Sequence, residues 1–300
     1  MVNAFMNRRT FMKTSLITAL GMPALSRDSV ATPPESYVYP ETDEFKKLRM
    51  ELNARGLVLT DFHIHIRGGM TPEMAAIREK VGGIKSCVLE NFGREWPLKT
   101  SRDLDAFITK CKKVKIEGKP IRVGIQVNDR DWFRQIDRPT FERLDFVLAD
   151  TMIMGVTKEG KPQRLWLKDV VIDDPELWMQ KYLRHNLQIL DEPISILANP
   201  TYLPQCIAHL YDKLWTDERM ALVIAKAIDK KIALEVQLET NFARKRFLLL
   251  AKQMGAVFSF GSNNFTEKTK NVSNWLMAIR LLNLPQKNIL THPPRLVYPG

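Results

Sequence analysis

The chain has 300 residues, 45% of them apolar, which is enough for one large domain or two small ones with a sizeable core. Its 17 prolines and 14 glycines are too few for a low-complexity chain, and no apolar run reaches the roughly 18 residues a membrane span needs. The net charge of +11 admits nucleic acid, anionic surfaces or acidic small molecules as partners. However, the basic residues are scattered. The densest run, Lys110 to Lys115, reads as a solvated helix end, and no nucleic-acid-binding motif is present.

In chain order, the first element is a targeting segment. Asn7-Arg8-Arg9-Thr10-Phe11-Met12-Lys13 carries paired arginines, Ser15 to Leu25 is modestly apolar, and small residues follow near Ser26. Basic, apolar and small stretches in that order form an export signal. This one resembles a bacterial twin-arginine signal, which is an address read by the export machinery and not an anchor. Residues 1–26 are therefore expected to be a signal peptide and the protein periplasmic or otherwise exported, with no stable membrane anchor. Removing them takes away Arg8, Arg9 and Lys13 and no acid, so the remainder stays basic. Residues 27–50, with Thr32-Pro33-Pro34 and Tyr39-Pro40, read as an extended lead-in.

Residues 51–300 alternate short β-branched runs with longer helical patterns. The expected strands cover 57–66, 84–90, 121–127, 146–153, 194–198, 232–238, 256–261 and 288–291. Strands alternating with helices argue for a parallel sheet, and seven or eight such units fit a single-domain α/β fold, a (β/α)7-8 TIM-like barrel. Thr71-Pro72-Glu73, Asp174-Pro175-Glu176 and Thr216-Asp217-Glu218 each open a helix with a cap and an early acid. Gly155–Gln163 reads as a loop or small hairpin. A doubly wound sheet is the runner-up, but no Gly-x-Gly-x-x-Gly follows a strand. The three cysteines, Cys87, Cys111 and Cys206, give no disulfide framework and read as buried thiols.

In a barrel the chemistry sits at the C-terminal ends of the strands. There the chain places Asp61-x-His63-x-His65, then Glu90-Asn91, Asn128-Asp129, Asp150, Asn199, Glu235 with Gln237, Asn263-Asn264, and finally His292. A strand has period two, so Asp61, His63 and His65 are expected to point together into the barrel, with Phe62, Ile64 and Ile66 toward the helices. Two imidazoles so placed reach one divalent ion, and Asp61 ligates beside them or orients one of them. Arg67-Gly68-Gly69 follows: the glycines allow close backbone approach, and Arg67 offers an anion contact.

Thr60-Asp61-Phe62-His63-Ile64-His65 resembles the opening strand of the PHP (polymerase and histidinol phosphatase) family and, more loosely, of the amidohydrolases. Ala233-Leu234-Glu235-Val236 and Ala256–Asn264 are similar to two further strands of that family. The resemblance implies a distorted seven-stranded barrel, a metal cluster and phosphate-ester hydrolysis. The chain departs from it where Asn263 stands for a metal-binding Asp, where Asn199-Pro200 replaces His-Pro, and where Asp150 stands near an expected His. Asn is a poor ligand beside carboxylate or imidazole, so one metal ion at most is expected, or none.

Two functions follow. The first is a metal-dependent hydrolase, with one Zn or Mn ion held by His63, His65, Asp61 and Glu90. In it Glu235 and Asp150 act as catalytic carboxylates, and Arg67, Asn199, Asn263 and Asn264 bind a small anionic substrate such as a phosphate ester. The second is a non-catalytic, carbohydrate-type binding protein on a decayed barrel of the same kind, with Trp96 and Trp132 as candidate sugar platforms. A sugar-isomerase-like site is a weaker third. His185 and His209 fall in helical patterns and read as packing or surface residues.

Overall fold

The structure, a computed structural model, describes residues 42–157, 159–237, 244–266 and 272–299. The expected signal peptide and residues 27–41 of the lead-in lie outside this range. The end of the lead-in does not stay extended: Asp43–Ala54 is a helix, α1. Thr42 caps it by accepting from the Phe45 amide, and Asp43 and Glu44 sit at its positive end. Phe45, Leu48 and Leu52 recur at helical spacing and are buried. Thr42 thus opens a helix sooner than the prolines of the lead-in imply.

Seven parallel strands close into a barrel: β1 Thr60–His65, β2 Lys85–Phe92, β3 Arg122–Val127, β4 Phe146–Asp150, β5 Ile196–Ala198, β6 Ala233–Gln237 and β7 Phe258–Gly261. The order around the barrel is β1-β7-β6-β5-β4-β3-β2, so each strand pairs with its sequence neighbours and β7 closes on β1. Helices stand between strands: α2 Pro72–Gly82, α3 Ser101–Cys111, α4 Arg138–Phe141, α5 Pro175–Ile189, α6 Tyr211–Leu214, α7 Asp217–Asp229, α8 Lys245–Gln253 and α9 Ser273–Leu282. The caps read from sequence are in place. Thr71, Asp174 and Thr216 each accept from a first-turn amide, and Gly255 follows α8 with φ +86. Ile153–Val156 and Pro162–Arg164 pair as a hairpin after β4.

The apolar core has two layers. Strand residues such as Val123, Ile125, Leu234, Val236 and Phe260 pack outward against the helices. A smaller cluster, including Phe62, Leu89, Phe146, Leu148 and Ile196, fills the barrel itself. The interior is thus a plug of side chains, as eight-stranded barrels also have.

Two expectations are corrected here. No eighth strand forms at 288–291. Ile289 makes a single bridge to Phe258, the Leu290 amide donates to the Phe258 carbonyl at 2.7 Å, and Leu290 joins the interior cluster. Phe258 begins β7, so this segment covers the N-terminal end of the barrel. His292 is therefore exposed at the end opposite the strand tips, where it contacts only Thr291 among its hydrogen-bond partners. Prolines at 285, 293 and 294 keep the segment too short to pair along its length. Cys87 and Cys111 are buried, and burial pushes both thiols up to about 12, whereas Cys206 is exposed on the short 3-10 helix Gln205–Leu210. Among the described residues, no helix is long and apolar enough to cross a membrane.

Candidate functional site

Because all seven strands are parallel, their C-terminal ends meet at one end of the barrel. Six side chains there close a continuous hydrogen-bonded ring. His63 on β1 places Nδ1 2.6 Å from Glu235 Oε1 and Nε2 2.9 Å from Gln126 Oε1. Gln126 on β3 donates from Nε2 to Asp150 Oδ2 at 3.2 Å, and Asn199 donates to Asp150 Oδ1 at 2.9 Å. Gln237 on β6 donates to Asn199 Oδ1 at 2.6 Å and to Glu235 Oε2 at 2.8 Å, which completes the circle. Every member is buried.

The ring fixes the state of His63. Gln126 turns its NH2 to Asp150, so its oxygen faces the imidazole. That amide oxygen and the Glu235 carboxylate only accept, so this arrangement favours an imidazole that donates from both nitrogens, the charged form. Burial opposes this charge, but the Glu235 carboxylate and the two hydrogen bonds outweigh it and raise the pKa. Burial also pushes the Asp150 carboxyl up, against the pull of its Asn199 and Met152 hydrogen bonds. Gly261 on β7 makes room for the ring: a Cβ there would overlap the Glu235 carboxylate and lie 2.9 Å from His63 Cβ.

His65, Glu90 and Arg67 form a second group. His65 Nδ1 and Arg67 Nη1 each lie 3.4 Å from Glu90 Oε1, and the Arg67 guanidinium sits 5.7 Å from the centre of the Phe265 ring. Burial raises the Glu90 pKa, while Arg67 and the Asn91 amide hold it down. The His63 and His65 rings are 5.1 Å apart and tilted by 52°. The close approach expected of Arg67-Gly68-Gly69 is to protein backbone. Gly68 has φ +58, and a Cβ on it would lie 2.5 Å from the Phe265 carbonyl.

The period-two expectation fails at the start of β1. The register against β2 shifts between Asp61 and Ile64, which is the mark of a bulge. Phe62 turns into the barrel and packs edge-on against Phe146, and Asp61 leaves the histidines. Asp61 Oδ1 accepts from the His63 and Ser262 amides, and Oδ2 lies 3.8 Å from Arg78 on α2. Asp61 thus ties β1 to the end of β7 and does not join the ring.

Asn199 and Asn263 have φ of +54 and +47, a left-handed conformation that Asn tolerates better than most residues and that collects at functional strand ends. Asn264 continues the β1–β7 pairing through its backbone and donates its side-chain NH2 to the Thr266 carbonyl at 2.7 Å. Of the two candidate sugar platforms, Trp132 is fully buried with its Nε1 donating to Glu192 at 2.8 Å, so it cannot face a ligand. Trp96 is half-buried, with the Arg164 guanidinium 5.1 Å above its ring. Gln126 is the site residue that sequence reasoning missed. Its signal was a lone amide within an apolar strand, on the same face as Gly124.

As placed, these side chains are engaged with one another and not turned to a common metal position. A metal-bound imidazole must offer a bare nitrogen at about 2.0–2.1 Å, and His63 offers none. Asp150 and Glu235 already accept on both oxygens. A cation between His65 and Glu90 would face the Arg67 guanidinium. Among the described residues no group of three or more His, Cys, Asp or Glu side chains converges as a ligand set. No protein-family model matches the sequence, and no curated protein matches it significantly.

Proposed function

We propose that this chain is an exported, non-catalytic binding protein on a divergent PHP-like (β/α) barrel, holding a small polar ligand of carbohydrate type at the strand-end rim. The observation that carries this reading is the closed ring. Each of its six side chains is hydrogen-bonded to two others of the ring, and His63, Glu235 and Asp150, the groups that could act as base or ligand, are all engaged in it. The amides of Asn199, Gln126 and Gln237 serve such a polar floor well, because an amide donates and accepts at once. Twin-arginine export fits a protein that folds before crossing the membrane. Arg8→Lys together with Arg9→Lys should leave the unprocessed chain in the cytoplasm.

The hydrolase reading is second, and one observation favours it. Glu90 and Asp150 are buried carboxyls with raised pKa values at the strand ends, the condition in which a carboxylic acid serves as a general acid. Elemental analysis combined with assays on p-nitrophenyl phosphate and p-nitrophenyl glycosides, with added Zn or Mn, separates the two. The binding reading expects no stoichiometric metal and no turnover. About one equivalent of metal, lost together with turnover in His63→Ala/His65→Ala, would sink it.

A further inference from the structure

We infer that the groove beside the β3 and β4 strand ends, lined by Asn128, Arg130 and His185 and flanked by the Ile153–Arg164 hairpin, is the subsite that receives vicinal hydroxyl groups of the ligand. This rests on the binding reading above and gives that reading a place and a chemistry. The groove encloses about 300 Å³, the lower end of the range for small-molecule pockets and enough for one sugar ring. It lies next to the ring: Asn128 is two residues beyond Gln126, just past the end of β3, and Asn128 Nδ2 is 3.4 Å from Asn91 Oδ1.

The ring leaves one buried atom unmet among the described residues, Gln237 Oε1, whereas the groove gathers three. Asn128 Oδ1, Arg130 Nε and His185 Nε2 are buried polar atoms with no hydrogen-bond partner among the described residues, and all three residues line this one groove. Buried polar atoms are nearly always satisfied, so three on one groove mark a place where something else supplies the bonds. His185 is only 7% exposed. Its surroundings keep the imidazole neutral, so the unmet Nε2 offers a single bond, as donor or acceptor according to the tautomer, and a hydroxyl answers either. Trp96 stands at the lip beside Asp129: a Cβ on Gly93 would lie 2.8 Å from one and 2.5 Å from the other. The Trp96 Nε1 likewise has no partner.

The charges select the ligand class. Arg94 is paired with Asp131 and Arg130 with Glu192, so both guanidinium charges are already balanced. The unmet atoms include the Oδ1 acceptor and the Nε donor, and adjacent hydroxyls answer both, because each donates and accepts. An anion would leave Asn128 Oδ1 unmet and would meet Asp129 and Glu95 at the lip. An ammonium would leave Arg130 Nε unmet.

Calorimetry on the exported form tests this, with glucose, galactose, mannose and myo-inositol as probes to about 50 mM, and inorganic phosphate and putrescine as controls. At least one polyol should bind, and His185→Leu should weaken it about tenfold, the loss of one buried hydrogen bond, while His185→Gln retains most of it. Val156→Trp fills the groove from an exposed position and should abolish binding without touching any buried residue. Polyol binding that survives both His185→Leu and Val156→Trp, but falls with Asn263→Ala, overturns the groove and leaves the binding reading standing. No polyol binding, or binding of phosphate instead, overturns both, the unmet atoms then being met by water or by an anion.

Discussion

Two buried histidines in this barrel are handled in opposite ways. His63 lies between Glu235 and Gln126, and the carboxylate and both hydrogen bonds hold it charged against the cost of burial. His185 lies about as deep in α5, but burial and the neighbouring Arg130 charge push its pKa down to about 3, so it stays neutral. The first is saturated with partners, and the second has an atom with none. Burial alone therefore does not decide a histidine's role; what decides it is whether a carboxylate or a guanidinium shares its pocket. In this molecule the same contrast separates a closed polar floor from an adjoining groove with bonds to spare.

The largest test breaks the floor. Glu235→Leu leaves the His63 imidazolium buried without its counter-charge and should cost about 3–5 kcal/mol in urea unfolding. His63→Leu/Glu235→Leu together should cost less than the sum of the two single changes, because the pair is removed as a unit. A single-mutant cost below about 1 kcal/mol would show that His63 is neutral and the pair not ionic. Gly261→Ala comes next. Its methyl group would press on the Glu235 carboxylate and on His63 Cβ, and the overpacking should cost about 1–3 kcal/mol. A neutral result would mean that the ring has room to shift.

Much of the floor was legible in the sequence, and the reasons for the rest are physical. The seven strands and their caps were readable because hydrophobic period and capping chemistry are local. His63, Asp150, Asn199 and Glu235 were found because each is a polar side chain at the tip of an apolar strand. Gln126 was missed because it sits inside an apolar run, where only the closed barrel shows which face points inward. The Asp61–Phe62 inversion was missed because a bulge is a property of strand pairing, not of either strand alone. His185 read as a packing residue on a helix. Its packing against Tyr182, with ring centres 6.1 Å apart, is real, and the groove on its other side is formed by residues distant in sequence.

The histidine contrast predicts opposite pH dependences. His185 has a folded pKa of about 3 and an ordinary unfolded one near 6.5. The unfolded chain therefore binds a proton that the native one refuses. The stability it contributes is complete above pH 6.5 and is lost as the pH falls toward 3, about 2 kcal/mol of it by pH 5. His63, with its raised folded pKa, works the other way: its contribution is complete below the unfolded value and fades as the pH rises through the folded one. Urea midpoints from pH 7.5 to 5 should therefore fall less steeply in His185→Gln than in the parent chain. Equal slopes would place the acid sensitivity in the carboxylates alone.

The smallest expected effect is also the most selective. The Arg94–Asp131 pair at the groove's lip has side chains 69% and 44% exposed, so water screens it and it adds little to folding. Arg94→Ala should shift the unfolding free energy by less than about 0.5 kcal/mol. The same change frees Asp131 Oδ2 at the mouth of the groove, where it becomes an acceptor for a ligand hydroxyl, while Oδ1 stays with Gln135. Stability and ligand affinity should then separate: nearly unchanged unfolding, but a measurable change in polyol binding, probed by calorimetry on one preparation. If neither moves, the lip does not contact the ligand, and the contrast between floor and groove narrows to the buried atoms of Asn128, Arg130 and His185.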